Sequence, residues 1–190
     1  MKRREVLGAL AAVPLGAVAL GWARLGAAAA AKTAPPLAEI QQNWQTLLAK
    51  GADVAQSTAP LNRTAAEWKQ SLAGPQFAVL RQEGTERPFS SALNDEKRTG
   101  VFVCAGCTLP LFTSQMKFDS GTGWPSFFTS IPSHLVTKQD FQLILPRTEY
   151  HCARCGGHQG HVFDDGPAPT GQRWCNNGVA LKFLPTTGKA

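Results

Sequence analysis

Five cysteines divide into four and one. Cys104-Ala105-Gly106-Cys107 and Cys152-Ala153-Arg154-Cys155 are two C-x-x-C pairs separated by 44 residues, a ligand set suited to one tetrahedral Zn²⁺ held by four thiolates. Four thiolates close the coordination sphere and leave no position for water, so such a site is structural and staples two distant loops. Iron is an alternative occupant of the same sulfurs. Redox dithiols are an alternative use of them, although a redox C-x-x-C motif usually occurs once, near a βαβ unit.

Cys175 is the remaining thiol, in Arg173-Trp174-Cys175-Asn176-Asn177. A lone thiol is by default a small packing residue. On a strand, however, alternation puts Arg173, Cys175 and Asn177 on one face, where a fixed positive charge lowers the thiol pKa and favours the nucleophilic thiolate. Just upstream, His158 and His161 stand three apart with Asp165 four further on. Histidine donates protons near neutral pH, and a carboxylate partner fixes its tautomer and orientation. A second metal site on the same three side chains is the weaker reading. In Gly121-Thr122-Gly123-Trp124-Pro125-Ser126-Phe127-Phe128, Trp124 either fills core under a loop or forms an apolar wall for a small hydrophobic group.

The elements that position these residues change character near Gly100. Before it, a helix is predicted over Leu37–Ala49 with Ile40, Trp44, Leu47 and Leu48 on one side. A capping box at Thr64–Glu67 starts another that Gly74-Pro75 ends, and a short helix over Gln76–Gln82 stops at Gly84. After it come short apolar runs between turn residues, read as strands at Val101–Val103, Leu109–Phe112, Leu135–Thr137, Phe141–Leu145, Thr148–His151, His161–Phe163 and Val179–Leu184. The expectation is a small, mainly β antiparallel domain preceded by short helices.

At 190 residues, 43% of them hydrophobic, the chain has room for one domain with an extension. Lys2-Arg3-Arg4 followed by an apolar run from Val6 to Leu20 and the small residues Ala27 to Ala31 reads as an export signal of the twin-arginine type. The run is shorter than the roughly 20 residues of a membrane-spanning helix, so cleavage is expected rather than stable membrane insertion. The expected organisation is a signal at 1–31, a linker with a docking helix at 32–60 and a domain at 61–190, exported to the periplasm. Removing Lys2, Arg3, Arg4, Arg24 and Glu5 lowers the formal charge from +6 to +3. No basic run survives, which argues against nucleic acid as a partner.

Gly121 to Phe127, Arg147-Thr148-Glu149, His158 to Gly166 and Arg173 to Asn177 together resemble the motifs of the B-type peptide-methionine (R)-S-oxide reductases. The likeness runs from about Arg63 to Pro185 and includes Gly84-Thr85-Glu86-Arg87-Pro88-Phe89. It implies two small antiparallel sheets, one structural Zn²⁺ on Cys104, Cys107, Cys152 and Cys155, and reduction of the R epimer of methionine sulfoxide in oxidised proteins. Cys175 would attack the sulfoxide sulfur. His161 and His158, with Asp165, would bind and protonate its oxygen. Arg173 and Asn177 would tune the thiolate and order the site, and Trp124 would receive the S-methyl group with Phe163 supporting the pocket.

Many members resolve the resulting sulfenic acid with a second cysteine where Thr122 stands here, so this chain is expected to depend on an external thiol reductant such as a thioredoxin-like protein. Trp174 stands where the family usually has Tyr or Phe, Asn176 where it has an apolar residue and Gln159 where it has Leu. Against this stand a non-catalytic, zinc-stapled β binding module and a disulfide oxidoreductase built on the C-x-x-C pairs.

Overall fold

The computed structural model describes residues 35–140 and 146–187. The export signal expected at 1–31 and the strand expected at Phe141–Leu145 lie outside the described residues. Among them, no helix is long and apolar enough to cross a membrane.

Among the described residues three short helices, α1 (Leu37–Gln42), α2 (Ala65–Ser71) and α3 (Gly74–Gln82), precede nine strands. The capping box forms as expected: Thr64 accepts from the Glu67 N–H, and Glu67 accepts from the Thr64 N–H at 2.7 Å. Gly74-Pro75, expected to end this helix, instead opens α3, because the fixed φ of proline suits a first helical turn and its missing N–H is not needed there. α3 stops at Glu83, which takes the left-handed conformation (φ 57°) one residue before the expected Gly84. The helix expected over 37–49 tightens after Gln42 into a 3-10 turn at Asn43–Leu47. That turn carries Trp44, Leu47 and Leu48 to a cluster around Val54, Val101 and Val103.

The strands make two antiparallel sheets. One has the order β2 (Pro110–Thr113), β1 (Gly100–Cys104), β9 (Leu181–Pro185). The other runs β3 (Lys117–Phe118), β4 (Ser126–Phe127), β8 (Arg173–Asn176), β7 (His158–Phe163), β6 (Arg147–Cys152), β5 (Leu135–Asp140). The strand expected over Val179–Leu184 begins only at Leu181. Its first residues form a 3-10 turn, because the Gly178 and Val179 N–H groups donate to the Glu86 carboxylate at 2.5 and 2.9 Å.

Aromatic side chains fill the space between the sheets. Phe112 of β2 stacks on Phe127 of β4 at 4.0 Å, and Phe102 of β1 meets Phe127 edge-on at 5.0 Å. All three are fully buried, and each such ring contributes about 1.5–3 kcal/mol by leaving water. Residues 54–61 tie down both cysteine loops: Ala55 N–H donates to Thr108 O at 3.2 Å, and Leu61 N–H to Arg154 O at 2.8 Å.

Candidate active site and metal centre

The two C-x-x-C loops meet. Cys104 Sγ lies 3.6 Å from Cys155 Sγ and Cys107 Sγ 3.5 Å from Cys152 Sγ, all four buried. Bonds of about 2.3 Å in a tetrahedron place sulfurs roughly 3.8 Å apart, so the cluster fits a four-thiolate ion with a small expansion. Mutual contact pushes the Cys104 thiol well up, through hydrogen bonds with Cys107, Cys152 and Cys155 and then burial. Four thiolates packed this closely repel one another, and a bound cation would offset that repulsion. Gln159 Nε2 donates to Cys104 Sγ at 3.4 Å and ties the cluster to β7.

Cys175 lies on β8 between Ser126 of β4 and His161 of β7. Gly160 permits this closeness, since a Cβ there would come within 2.0 Å of the Cys175 carbonyl oxygen. Cys175 opens into a hollow of about 120 Å³ lined also by His161, Trp124, Phe163, Asn177 and Arg147. The histidines stand three apart, which on a regular strand would send them to opposite faces. A register shift opposite Tyr150 and His151 makes Gln159 an extra residue and brings the two rings within 5.6 Å.

The carboxylates beside the histidines are not the one expected. Asp165 makes a two-point ion pair with Arg173, at 2.8 and 2.9 Å, and its carboxyl is lowered by that hydrogen bond. His161 Nε2 instead contacts Asp140 Oδ2 at 2.9 Å, and Arg147 holds the same oxygen at 2.5 Å. His158 is buried behind it with Nδ1 2.5 Å from Glu149 Oε1. Burial lowers the His158 pKa, opposed by the Glu149 charge.

His151 Nε2 lies 2.8 Å from the same Glu149 oxygen. The 2.5 Å spacing is a hydrogen bond, whereas His151 Nε2 meets Glu149 at ion-pair distance without a hydrogen bond, and both spacings are closer than the roughly 3.3 Å between nitrogen or oxygen ligands around a tetrahedral metal. Asp140, Glu149, Arg147 and His151 were missed as partners. The Arg147-Thr148-Glu149 motif was the one signal for two of them.

Arg173 acts on Cys175 as expected, but burial outweighs it. Desolvation raises the thiol pKa, while the Arg173 charge and hydrogen bonds from Thr122 and Arg173 bring it part of the way down. The guanidinium also sits 4.3 Å over the Phe163 ring. Asn177 is a clamp as well as a pocket wall: its Oδ1 accepts from the Glu86 N–H at 2.9 Å and its Nδ2 donates to Gln159 O at 3.0 Å. Trp124 Nε1 donates to Glu86 O at 3.2 Å. Among the described residues the hollow thus gathers Cys175, His161, Trp124, Phe163 and Asn177, with His158 behind it and the Arg173–Asp165 pair at its flank. Two of the family departures satisfy each other: Asn176 Nδ2 donates to Gln159 Oε1 at 3.4 Å, while Tyr150 Oη donates to Asn176 Oδ1 at 2.8 Å.

The SelR domain family matches residues 72–185. The chain is 55% identical over 118 residues to a peptide methionine sulfoxide reductase MsrB of Methanosarcina barkeri, spanning 62% of this chain and 83% of that protein. It is 49% identical over 125 residues to the protein of that name from Hahella chejuensis, spanning 65% and 90%. A third, from Pseudomonas putida, is 49% identical over 129 residues, spanning 67% and 97%.

Proposed function

The chain belongs to the SelR-domain family of B-type methionine sulfoxide reductases, oxidoreductases that act on a sulfur group, and from that premise we propose that it reduces the R epimer of methionine sulfoxide in oxidised proteins through Cys175. The observation that carries this reading is the half-buried Cys175 opening into a hollow that also presents His161, Trp124 and Phe163. The Cys175 thiolate attacks the sulfoxide sulfur. The S–O bond breaks as oxygen passes to the enzyme, leaving methionine and a Cys175 sulfenic acid. His161, held by Asp140, donates the proton that the oxygen requires. His158, kept neutral by burial, sets the His161 ring from behind. Trp124 and Phe163 wall the space for the S-methyl group.

Thr122 contacts Cys175 through its hydroxyl, so the position from which a resolving cysteine would act holds no thiol. The other four thiols are gathered in the cluster. The sulfenic acid is therefore reduced by two equivalents of an external thiol, or one dithiol such as a thioredoxin-like protein, releasing water and a disulfide. Zn²⁺ is the ion that best suits four thiolates. It crosslinks the two loops and takes no part in the chemistry. Residues 1–31 serve for export to the periplasm, a reading supported by Arg3-Arg4 and the apolar run after them.

The test is an epimer-resolved turnover assay of the domain and its Cys175→Ser variant on free and protein-bound sulfoxides with a dithiol. Consumption of the R epimer alone, abolished by the substitution, is expected. A folded, metal-loaded protein that consumes neither epimer would favour the binding-module reading, and an intramolecular disulfide to Cys175 during turnover would overturn external reduction.

A further inference from the structure

Trp124 borders two hollows. One is the pocket of Cys175, and the other is a larger one of about 540 Å³ that also takes in Phe89, Asn94, Lys117 and Asp119. Phe89 stands at this second hollow with its side chain in solvent. It is 73% exposed, and among the described residues only Val136, at 53%, is another exposed large hydrophobic. Its φ of 60° lies in the left-handed region, which bulky residues rarely adopt.

The surroundings hold it there. Phe89 N–H donates to Gly123 O at 2.7 Å, and Asn94 Nδ2 donates to the same oxygen at 2.9 Å. The ring lies over Gly123, where a Cβ would come within 2.9 Å of two ring carbons, so the glycine makes the contact possible. Lys117 Nζ donates to Asn94 O at 2.6 Å and fixes the floor. An exposed aromatic ring and an unfavourable backbone each stand against stability. Finding both braced at a hollow that shares Trp124 with the Cys175 pocket is the pattern of a binding surface.

We propose that this second hollow receives the polypeptide flanking the oxidised methionine, with Phe89 packing on a neighbouring side chain while the sulfoxide enters past Trp124. The proposal rests on the reductase reading above. An aromatic ring beside amide, ammonium and carboxylate groups suits an extended peptide, whose backbone needs polar partners and whose side chains need apolar ones.

The test compares free methionine R-sulfoxide with a peptide carrying leucine on both sides of the sulfoxide, for the unaltered protein, Phe89→Ala and Phe89→Leu. Phe89→Ala should lower kcat/KM for the peptide about tenfold through KM, change the free amino acid by less than about twofold, and be largely rescued by Phe89→Leu. Phe89→Gly, which relieves the backbone, should show the same selective loss without lowering the melting temperature. An equal loss on both substrates, or none on the peptide, would overturn the peptide groove and leave the reductase intact. An unaltered protein inactive on both substrates would overturn the reductase reading and the groove together.

Discussion

β7 joins two regions that put cysteine to opposite uses. Just before its His158 end, Cys152 and Cys155 close against Cys104 and Cys107, and each thiol has other thiols for neighbours. At its His161 end the strand pairs with Cys175, whose neighbours are a guanidinium, a hydroxyl and a hollow of about 120 Å³. Burial does not separate the two regions, since it raises the pKa of Cys104 and of Cys175 alike. What separates them is the company each thiol keeps and whether a second molecule has room to approach.

The largest test of that contrast is substitution at either end. Cys175→Ser should cut turnover by more than about a thousandfold and move the melting temperature by no more than about 2 °C. Cys152→Ser should instead lower the melting temperature by more than about 15 °C, because metal binding carries folding free energy. The reverse pattern, read by calorimetry beside the activity assay, would break the comparison.

Metal removal sharpens it. Stripping the ion with a chelator should lower thermal stability by several kcal/mol, roughly the scale of a structural zinc site, and release one equivalent of Zn²⁺. A chelated protein with an unchanged melting curve would show that packing alone holds the loops.

The next effect is one of pH. Burial holds the Cys175 thiol above its ordinary value, so the neutral form dominates near neutrality and the thiolate fraction grows as pH rises. Alkylation of the metal-loaded protein by iodoacetamide should therefore be slow at about pH 7 and rise by about tenfold per pH unit. Arg173→Gln removes the charge that brings the thiol down, so the midpoint should move higher and the rate at about pH 8 fall roughly tenfold. A rate that is flat with pH, or indifferent to Arg173, would remove the electrostatic half of the contrast.

The smallest effect lies between the regions. Tyr150→Phe takes one donor from the buried Asn176 and should cost about 1 kcal/mol, roughly 2–4 °C in melting temperature, with turnover unchanged.

Local chemistry was legible in the sequence and pairing was not. The Thr64–Glu67 cap, the strand character of β1 and β2 and the two cysteine loops each depend on residues a few positions apart, and they form where expected. The hollow's cysteine, histidine and tryptophan were visible in short motifs. Their carboxylate partners were not, because Glu149 faces His161 only through the β6–β7 register and Asp140 joins them from β5. Asp165, nearer in sequence, was given that role, but Arg173 on the paired end of β8 takes its carboxylate. The net rise in the Cys175 pKa escaped for the same reason: spacing shows a nearby charge and hides how much water the fold excludes.

The central strand of the three-stranded sheet has one further consequence, for how the chain is made. β1 gains its neighbour β2 within a few residues, but its other edge waits for β9. The Thr186 hydroxyl, just past β9, then donates to Leu47 O at 2.7 Å, so the 3-10 turn docked before β1 is latched only once β9 has been made. Until that moment the edge of Val101, Phe102 and Val103 is bare, and such an edge is a template for pairing with other chains. A transcript cut short of Leu181 would carry every catalytic side chain named above and still yield an adhesive, unfinished sheet.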